Sequence, residues 1–332
     1  MTGQMPLDPQ IARILAERSP LPRHMLPIGE LRSGLNSRTS ANQTKVGKVE
    51  DLHVTSEQTD VPIRIYWPFG RPDGCFLFFH GGGFVGGSLD THDHICRDIC
   101  LAANCVVIAT DYRLAPEHPF PSALHDCAAV LSWVVSHGGF LGLDDPKIVV
   151  GGDSAGGNLA TVLVARSRQR REGRISGQVL IYPITDVPRL SRTSYVENGA
   201  GYGLSSDDML RFWRDYAGEA PDVNDPAIAP VRSSELAGLP DTLVITAEFD
   251  PLRDEGEEYA RRLMEAGVPT TLTRYDGAIH GFVRMGSEVR LAAQALRQIS
   301  QWLGERFSDQ EPHAHHRQVA KASEVGRNGI GS

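Results

Sequence analysis

A serine stands between two glycines in the run Gly152-Asp153-Ser154-Ala155-Gly156, directly after the apolar stretch Lys147-Ile148-Val149-Val150-Gly151 and directly before the helix-like stretch Asn158 to Arg168. Strand, tight turn and helix in that order form the elbow that lifts a nucleophilic serine above the end of a sheet. Glycines are needed at 152 and 156 because strand and helix approach too closely there for larger side chains. Upstream, Cys75-Phe76-Leu77-Phe78-Phe79 reads as a buried strand that runs into His80-Gly81-Gly82-Gly83-Phe84. Acyl transfer puts a negative charge on the former carbonyl oxygen, and fixed backbone N–H groups in a water-poor site stabilise it. The N–H groups of Gly82 and Gly83, with that of Ala155 next to the serine, form the expected oxyanion hole.

Further motifs extend the pattern. Asp111 to Pro121 reads DYRLAPEHPFP, Phe249 to Gly256 reads FDPLRDEG, and His280-Gly281-Phe282 follows. With the HGGGF and GDSAGG segments, these make the chain resemble the hormone-sensitive-lipase-like branch of the α/β-hydrolase superfamily, the bacterial family IV esterases, from about Val49 to Phe307. The resemblance implies an α/β-hydrolase fold: a mostly parallel central sheet with helices on both faces and a helical cap over the site. It also implies a carboxylic ester hydrolase for short- to medium-chain acyl esters, with a homodimer as a possible assembly.

Chain order in that fold is serine, acid, histidine. The histidines beyond Ser154 are His280 and a C-terminal group, His313, His315 and His316, and only His280 stands in a loop just past a strand and beside a glycine. His280 is therefore the expected general base. Glu248, Asp250 and Asp254 all fall at the end of the strand around Leu243 to Ala247, and chemistry alone does not choose among them; the resemblance selects Asp250. Asp254 fits the first turn of the following helix, where a carboxylate is favoured by the helix dipole. His80 and Asp153 read as braces of the oxyanion loop and the elbow. Arg113 and Glu117 read as an internal charge pair, and Phe84 and Tyr182 as walls of the substrate pocket. Two-step acyl transfer through these residues needs no metal or organic cofactor. An amide or N-acetyl hydrolase with the same triad is the alternative, and a non-catalytic ligand receptor on this fold a more distant one.

The elements that must position these residues alternate. After a helix at Pro9 to Arg18 and polar, breaker-rich sequence, strands are expected at Val49–Val54 and Ile63–Trp67, a helix at Thr91–Ala103, a strand at Val106–Thr110, a helix at Ala123–Ser136 and the strand that feeds the elbow. A strand at Gln178–Tyr182 is followed by a stretch with a single amphipathic helix, Asp207–Tyr216. Strands at Thr242–Thr246 and Thr271–Tyr275 and helices at Glu255–Ala266 and Leu291–Phe307 complete the pattern, which is that of an α/β sheet. The expected division is an N-terminal arm (1–48) forming part of the cap, the first part of the catalytic domain (49–182), a cap insert (183–230), the second part (231–307) and a disordered tail (308–332).

Composition narrows the partners. A net charge of −8 gives no electrostatic footprint for nucleic acid or an anionic membrane. No signal peptide and no membrane span is evident, so a soluble cytoplasmic protein acting on a small-molecule ester is expected. The five cysteines, at 75, 96, 100, 105 and 127, fall in core elements and read as buried reduced thiols. His92, His94, Cys96 and Cys100 lie close in sequence, but their spacing matches no usual zinc pattern, and no metal site is expected there.

Overall fold

The apolar runs become strands of one sheet in the computed structural model, which describes residues 6–17, 22–37, 44–55, 59–144, 147–170, 175–219 and 221–308. The strands are β1 (Lys48–Thr55), β2 (Asp60–Trp67), β3 (Cys75–Phe79), β4 (Val106–Thr110), β5 (Ile148–Asp153), β6 (Ile175–Ile181), β7 (Asp241–Phe249) and β8 (Thr270–Ile279). Their order across the sheet is β1-β2-β4-β3-β5-β6-β7-β8. β1 pairs antiparallel with β2, and β2 with β4; every pairing from β4 to β8 is parallel.

Every residue of β3, β4 and β5 is buried, because a parallel sheet covered by helices has no wet face. Alternate residues serve opposite layers. Leu77, Ile108 and Val150 join a core with Val130 of helix α4 (Ser122–Ser136), Leu163 of α5 (Ala155–Arg170) and Leu263 of α8 (Arg253–Glu265). Phe76, Val107 and Val149 join the other layer with Ile95 and Ile99 of α3 (Leu89–Ala102) and Ile299 of α9 (Arg290–Phe307). All five cysteines are buried and unpaired, and burial pushes the Cys75 and Cys100 thiols up to about 12.

Several elements differ from their expected extent. The N-terminal arm holds α1 (Pro9–Ala16), as expected in place, and also a second helix, α2 (Ile28–Asn36). Gly29, Gly34 and the preceding Pro27 hide it in the sequence, yet Leu31 and Leu35, one turn apart, are both buried. The 183–230 stretch contains α6 (Thr193–Asn198) besides the anticipated helix α7 (Ser206–Ala217); six residues are too few to show a helical period. Arg113 pairs with the fully buried Asp126 rather than with Glu117, at 2.7 Å from guanidinium to carboxylate. Glu117 instead accepts from Nη1 and Nη2 of Arg32 in the arm, at 2.9 and 2.5 Å. The reason is reach across the fold: a local charge pattern cannot reveal a partner 85 residues away.

The arm and α7 meet. Arg211 of α7 donates to the carbonyls of His24 and Leu26 at 3.1 and 3.4 Å, and Arg23 lies 3.2 Å from Asp208. Among the described residues, no helix is long and apolar enough to cross a membrane. The C-terminal residues 309–332, with His313, His315 and His316, lie outside the described residues, as do the stretches of the arm not given above.

Candidate active site

β5 ends at Asp153 and α5 begins at Ala155, so the whole reversal from strand to helix takes place in Ser154, whose φ is +56°. That left-handed conformation is costly for a residue with a Cβ, by about 1–3 kcal/mol, and persists only where the surroundings fix it. They do so on both sides. The Ser154 N–H donates to the Ile181 carbonyl at 2.9 Å, and its own carbonyl accepts from Asn158 and Ile184 at 3.2 and 3.1 Å. A Cβ on Gly156 would come within 1.9 Å of the Phe79 carbonyl oxygen. The second glycine of the motif is therefore dictated by the passage of β3 beneath the helix start.

β3 runs into the loop His80–Gly87, and its hydrogen bonds account for its shape. Gly81 N–H donates to Asp153 Oδ1 at 2.7 Å; the Gly82 carbonyl accepts from Val85 and Gly86 at 3.2 and 3.0 Å; the Phe84 carbonyl accepts from Ala115 at 3.0 Å. Among the described residues no acceptor takes the N–H of Gly82, Gly83 or Ala155. Gly82 and Gly83 have φ of +132° and +64°, which turns their amides away from ordinary pairing. On its far side the loop is tied to the arm: Gly87 N–H donates to Asn36 Oδ1 at 3.0 Å, and Arg32 Nε donates to the Val85 carbonyl at 2.7 Å.

His80 is buried and stacks on Tyr112, with centroids 4.3 Å apart, and its Nδ1 lies 2.9 Å from the Gly81 carbonyl. Burial pushes its imidazole down to about 3, so it braces the loop as a neutral ring. Asp153 is buried too. Burial alone would raise its carboxyl, yet His92, with its Nε2 at 3.1 Å, and then Arg284 and the Gly81 N–H hold it down at about 2. An ionised carboxylate thus joins the elbow to the oxyanion loop.

Three acids crowd the end of β7, and each has a different partner. Glu248 Oε2 accepts the Gly277 N–H at 2.7 Å within the irregular end of β8. Asp254, in the first turn of α8, accepts from Ser194 N–H at 2.8 Å and from Arg253 Nε at 2.9 Å. Asp250 Oδ2 lies 2.8 Å from His280 Nδ1, while its Oδ1 accepts the Leu252 N–H at 2.8 Å. His280, just past β8, places Nε2 3.0 Å from Ser154 Oγ. Asp250 is fully buried, and the His280 side chain keeps 12 % exposure, enough for one edge to face an incoming molecule.

Phe84 and Tyr182, expected as pocket walls, are each 1 % exposed. Phe84 lies face to face on Tyr216 of α7 at 3.7 Å, and Tyr182 packs beside the His280 ring at 4.8 Å. Phe84 thereby fastens α7 to the oxyanion loop, while Tyr182 flanks the histidine. His92, His94, Cys96 and Cys100 do not converge: His92 turns to Asp153, and both cysteines face the core. Among the described residues, no three histidine, cysteine or acidic side chains are grouped to hold a metal ion.

Sequence reasoning missed Asn36, Arg32 and Arg284, whose bonds tie the arm to the loop and to the turn behind His280, and it missed His92 as the partner of Asp153. It also missed Asn198 of α6, whose Nδ2 donates to the Glu248 and Asp250 carbonyls at 3.2 and 3.3 Å. Each acts on a backbone or buried group remote in the chain, and no local motif marks such a contact.

The model of a family with the alpha/beta hydrolase fold matches residues 76–284. Esterase LipI of Mycobacterium tuberculosis is 42% identical over 253 residues, which cover 75% of this chain and 79% of that protein. An ethyl acetate hydrolase of Pseudomonas putida is 36% identical over 310 residues, 88% of this chain and 96% of that protein. Among solved structures, a hyperthermophilic esterase from the archaeon Pyrobaculum calidifontis superposes with a TM-score of 0.86 at 38% identity, covering 90% of this chain and 98% of that one.

Proposed function

The chain belongs to the α/β-hydrolase family, in its hormone-sensitive-lipase-like branch, and is a carboxylic ester hydrolase; from that premise we propose that it works through an acyl-enzyme on Ser154, on esters with short- to medium-chain acyl groups. His280 takes the Ser154 proton as the oxygen attacks the ester carbonyl, and Asp250 holds the imidazole with its proton on Nδ1 and stabilises the imidazolium that forms. The Gly82, Gly83 and Ala155 amides receive the oxyanion. His280 then protonates the leaving alkoxide, and water, deprotonated by the same nitrogen, releases the carboxylic acid.

The observation that carries this reading is the unbroken line from Asp250 through His280 to Ser154, at 2.8 and 3.0 Å, beside three amides that find no acceptor among the described residues. The acyl-length reading is supported by the similarity to an ethyl acetate hydrolase and by the close seating of α7 on the oxyanion loop through Phe84 and Tyr216. In this reading residues 1–48 and 183–230 together make the cap.

A series of p-nitrophenyl esters from acetate to palmitate, with an anilide matched to the best of them, tests the proposal. Highest kcat/KM in the shorter half of the series and a much slower anilide are expected. A maximum at palmitate would remove the acyl-length assignment, and an anilide turned over faster than its ester would shift the function to amide hydrolysis.

A further inference from the structure

We infer that the last turns of the arm helix α2, through Asn36 and Arg32, hold the oxyanion loop in register with Ser154, so that the arm sets the rate of the chemical step as well as covering the site. The inference rests on the reading of Ser154 and of the Gly82, Gly83 and Ala155 amides as the reacting site.

The loop His80-Gly81-Gly82-Gly83-Phe84-Val85-Gly86-Gly87 has five glycines among eight residues. Glycine gives the backbone the freedom to aim its amides at an oxyanion, and for the same reason leaves that aim unfixed unless something outside holds it. At the near end the tie is Asp153 on Gly81. At the far end the ties come from α2. Asn36 Oδ1 accepts the Gly87 N–H at 3.0 Å, Arg32 Nε donates to the Val85 carbonyl at 2.7 Å, and Arg32 Nη2 donates to the Ala115 carbonyl at 3.0 Å. Ala115 in turn donates to the Phe84 carbonyl at 3.0 Å. Glu117 holds the Arg32 guanidinium in its fork, and Leu35 lies so close to Gly86 that a Cβ there would meet Leu35 Cδ1 at 2.8 Å.

The same helix end reaches the other half of the site. Arg284, four residues past His280, donates through Nη2 to the Leu35 carbonyl at 3.1 Å. One short stretch of the arm, from Arg32 to Asn36, therefore bonds to the backbone of the oxyanion loop on one side of the site and to the Arg284 side chain, past His280, on the other. Asn36 and Arg32 bond to the backbone of Gly87, Val85 and Ala115 and not to Ser154, His280 or Asp250. They are positioning residues, and a displacement of the loop by even about 1 Å is enough to cost a large share of the rate.

Asn36→Leu removes the acceptor at nearly constant volume, and Asn36→Asp keeps an oxygen on the same stem. For Asn36→Leu, kcat on a short-chain p-nitrophenyl ester is expected to fall about 10-fold with KM within about twofold of the parent. Affinity for an alkyl trifluoromethyl ketone, whose adduct with Ser154 places an oxyanion in the hole, is expected to weaken by the same factor as kcat/KM. Asn36→Asp is expected to recover most of the loss. Melting temperatures of both variants separate mispositioning from unfolding. If Asn36→Leu does not fold, Arg32→Lys carries the same expectation, since it keeps a charge for Glu117 but loses the fork to Val85 and Ala115. An unchanged kcat, or a loss confined to KM, overturns the inference. Ser154→Ala run alongside tells the two levels apart: residual turnover there would sink the reading of the site itself, whereas an inactive Ser154→Ala with a parental Asn36→Leu would sink only the role of the arm.

Discussion

Replacing Asp250 by Asn changes only which group faces His280, and the structure fixes the consequence. The carboxylate uses Oδ1 for the Leu252 N–H and Oδ2 for His280 Nδ1, each at 2.8 Å. An asparagine that keeps its oxygen on Leu252 must turn its amide NH2 toward Nδ1, which then acts as acceptor, so the imidazole proton moves to Nε2 and faces Ser154 Oγ. That tautomer cannot take the serine proton. The opposite rotamer sets NH2 against the Leu252 N–H, leaving two donors opposed at a fully buried position. Either way the expected loss in kcat is about 10⁴-fold, equivalent to about 5 kcal/mol of transition-state stabilisation. Asp254 is the control. Its carboxylate is 27% exposed and serves Ser194 N–H and Arg253. Asn at 254 keeps an acceptor for Ser194 and forfeits a partly exposed ion pair worth about 1 kcal/mol or less, which bounds any effect on turnover at about fivefold. Steady-state kinetics of the two variants on one p-nitrophenyl ester, with circular dichroism to confirm folding, should differ by about 10³-fold or more. Losses within tenfold of each other, or in reverse order, would refute the assignment of the acid.

Gly83→Ala should cost at least about 100-fold in kcat, because the new Cβ would lie 2.4 Å from the Phe212 ring at a φ of +64° and move an oxyanion donor; Phe212→Ala in the same background should recover part of it, and a single variant with parental kcat would contradict the loop's role. Stability should depend on the buried histidines. The folded-state value for His80 is depressed to about 3, and His92 is lowered as well, so the unfolded chain binds more protons once the pH falls below about 6.5. Stability is then complete above that value and is lost between about 6.5 and 3, by up to about 1.4 kcal/mol per pH unit for His80. Urea unfolding of the parent and of His80→Gln at pH 7 and pH 5 should show a shallower pH dependence in the variant, and equal slopes would contradict the neutral, buried state.

Much of this site was legible in the residues because its chemistry is local. Ser154 announces itself through glycines that a crossing strand requires, and the His80-Gly81-Gly82-Gly83 run through the amides it must leave open. His280 stands out by its place after a strand. Asp250 shows where local reasoning stops: three acids share one strand end, and only the fold reveals that Glu248 is occupied by Gly277 and Asp254 by Ser194. The resemblance, rather than the spacing, favoured Asp250. Helix α2 was hidden because Gly29 and Gly34 dilute its pattern to three apolar side chains, Ile28, Leu31 and Leu35. The pairing of Arg113 with Asp126, and of Arg32 with Glu117, depends on which loops the folded sheet brings together.

Covalent labelling of the nucleophile tests the proposed mechanism most directly. The protein is incubated with a fluorophosphonate, digested, and the adduct located by mass spectrometry. A single adduct on Ser154 is predicted, formed in step with the loss of esterase activity, absent from Ser154→Ala and strongly slowed in His280→Ala. An adduct on another serine that tracks inactivation, or full ester turnover by a correctly folded Ser154→Ala, would contradict it.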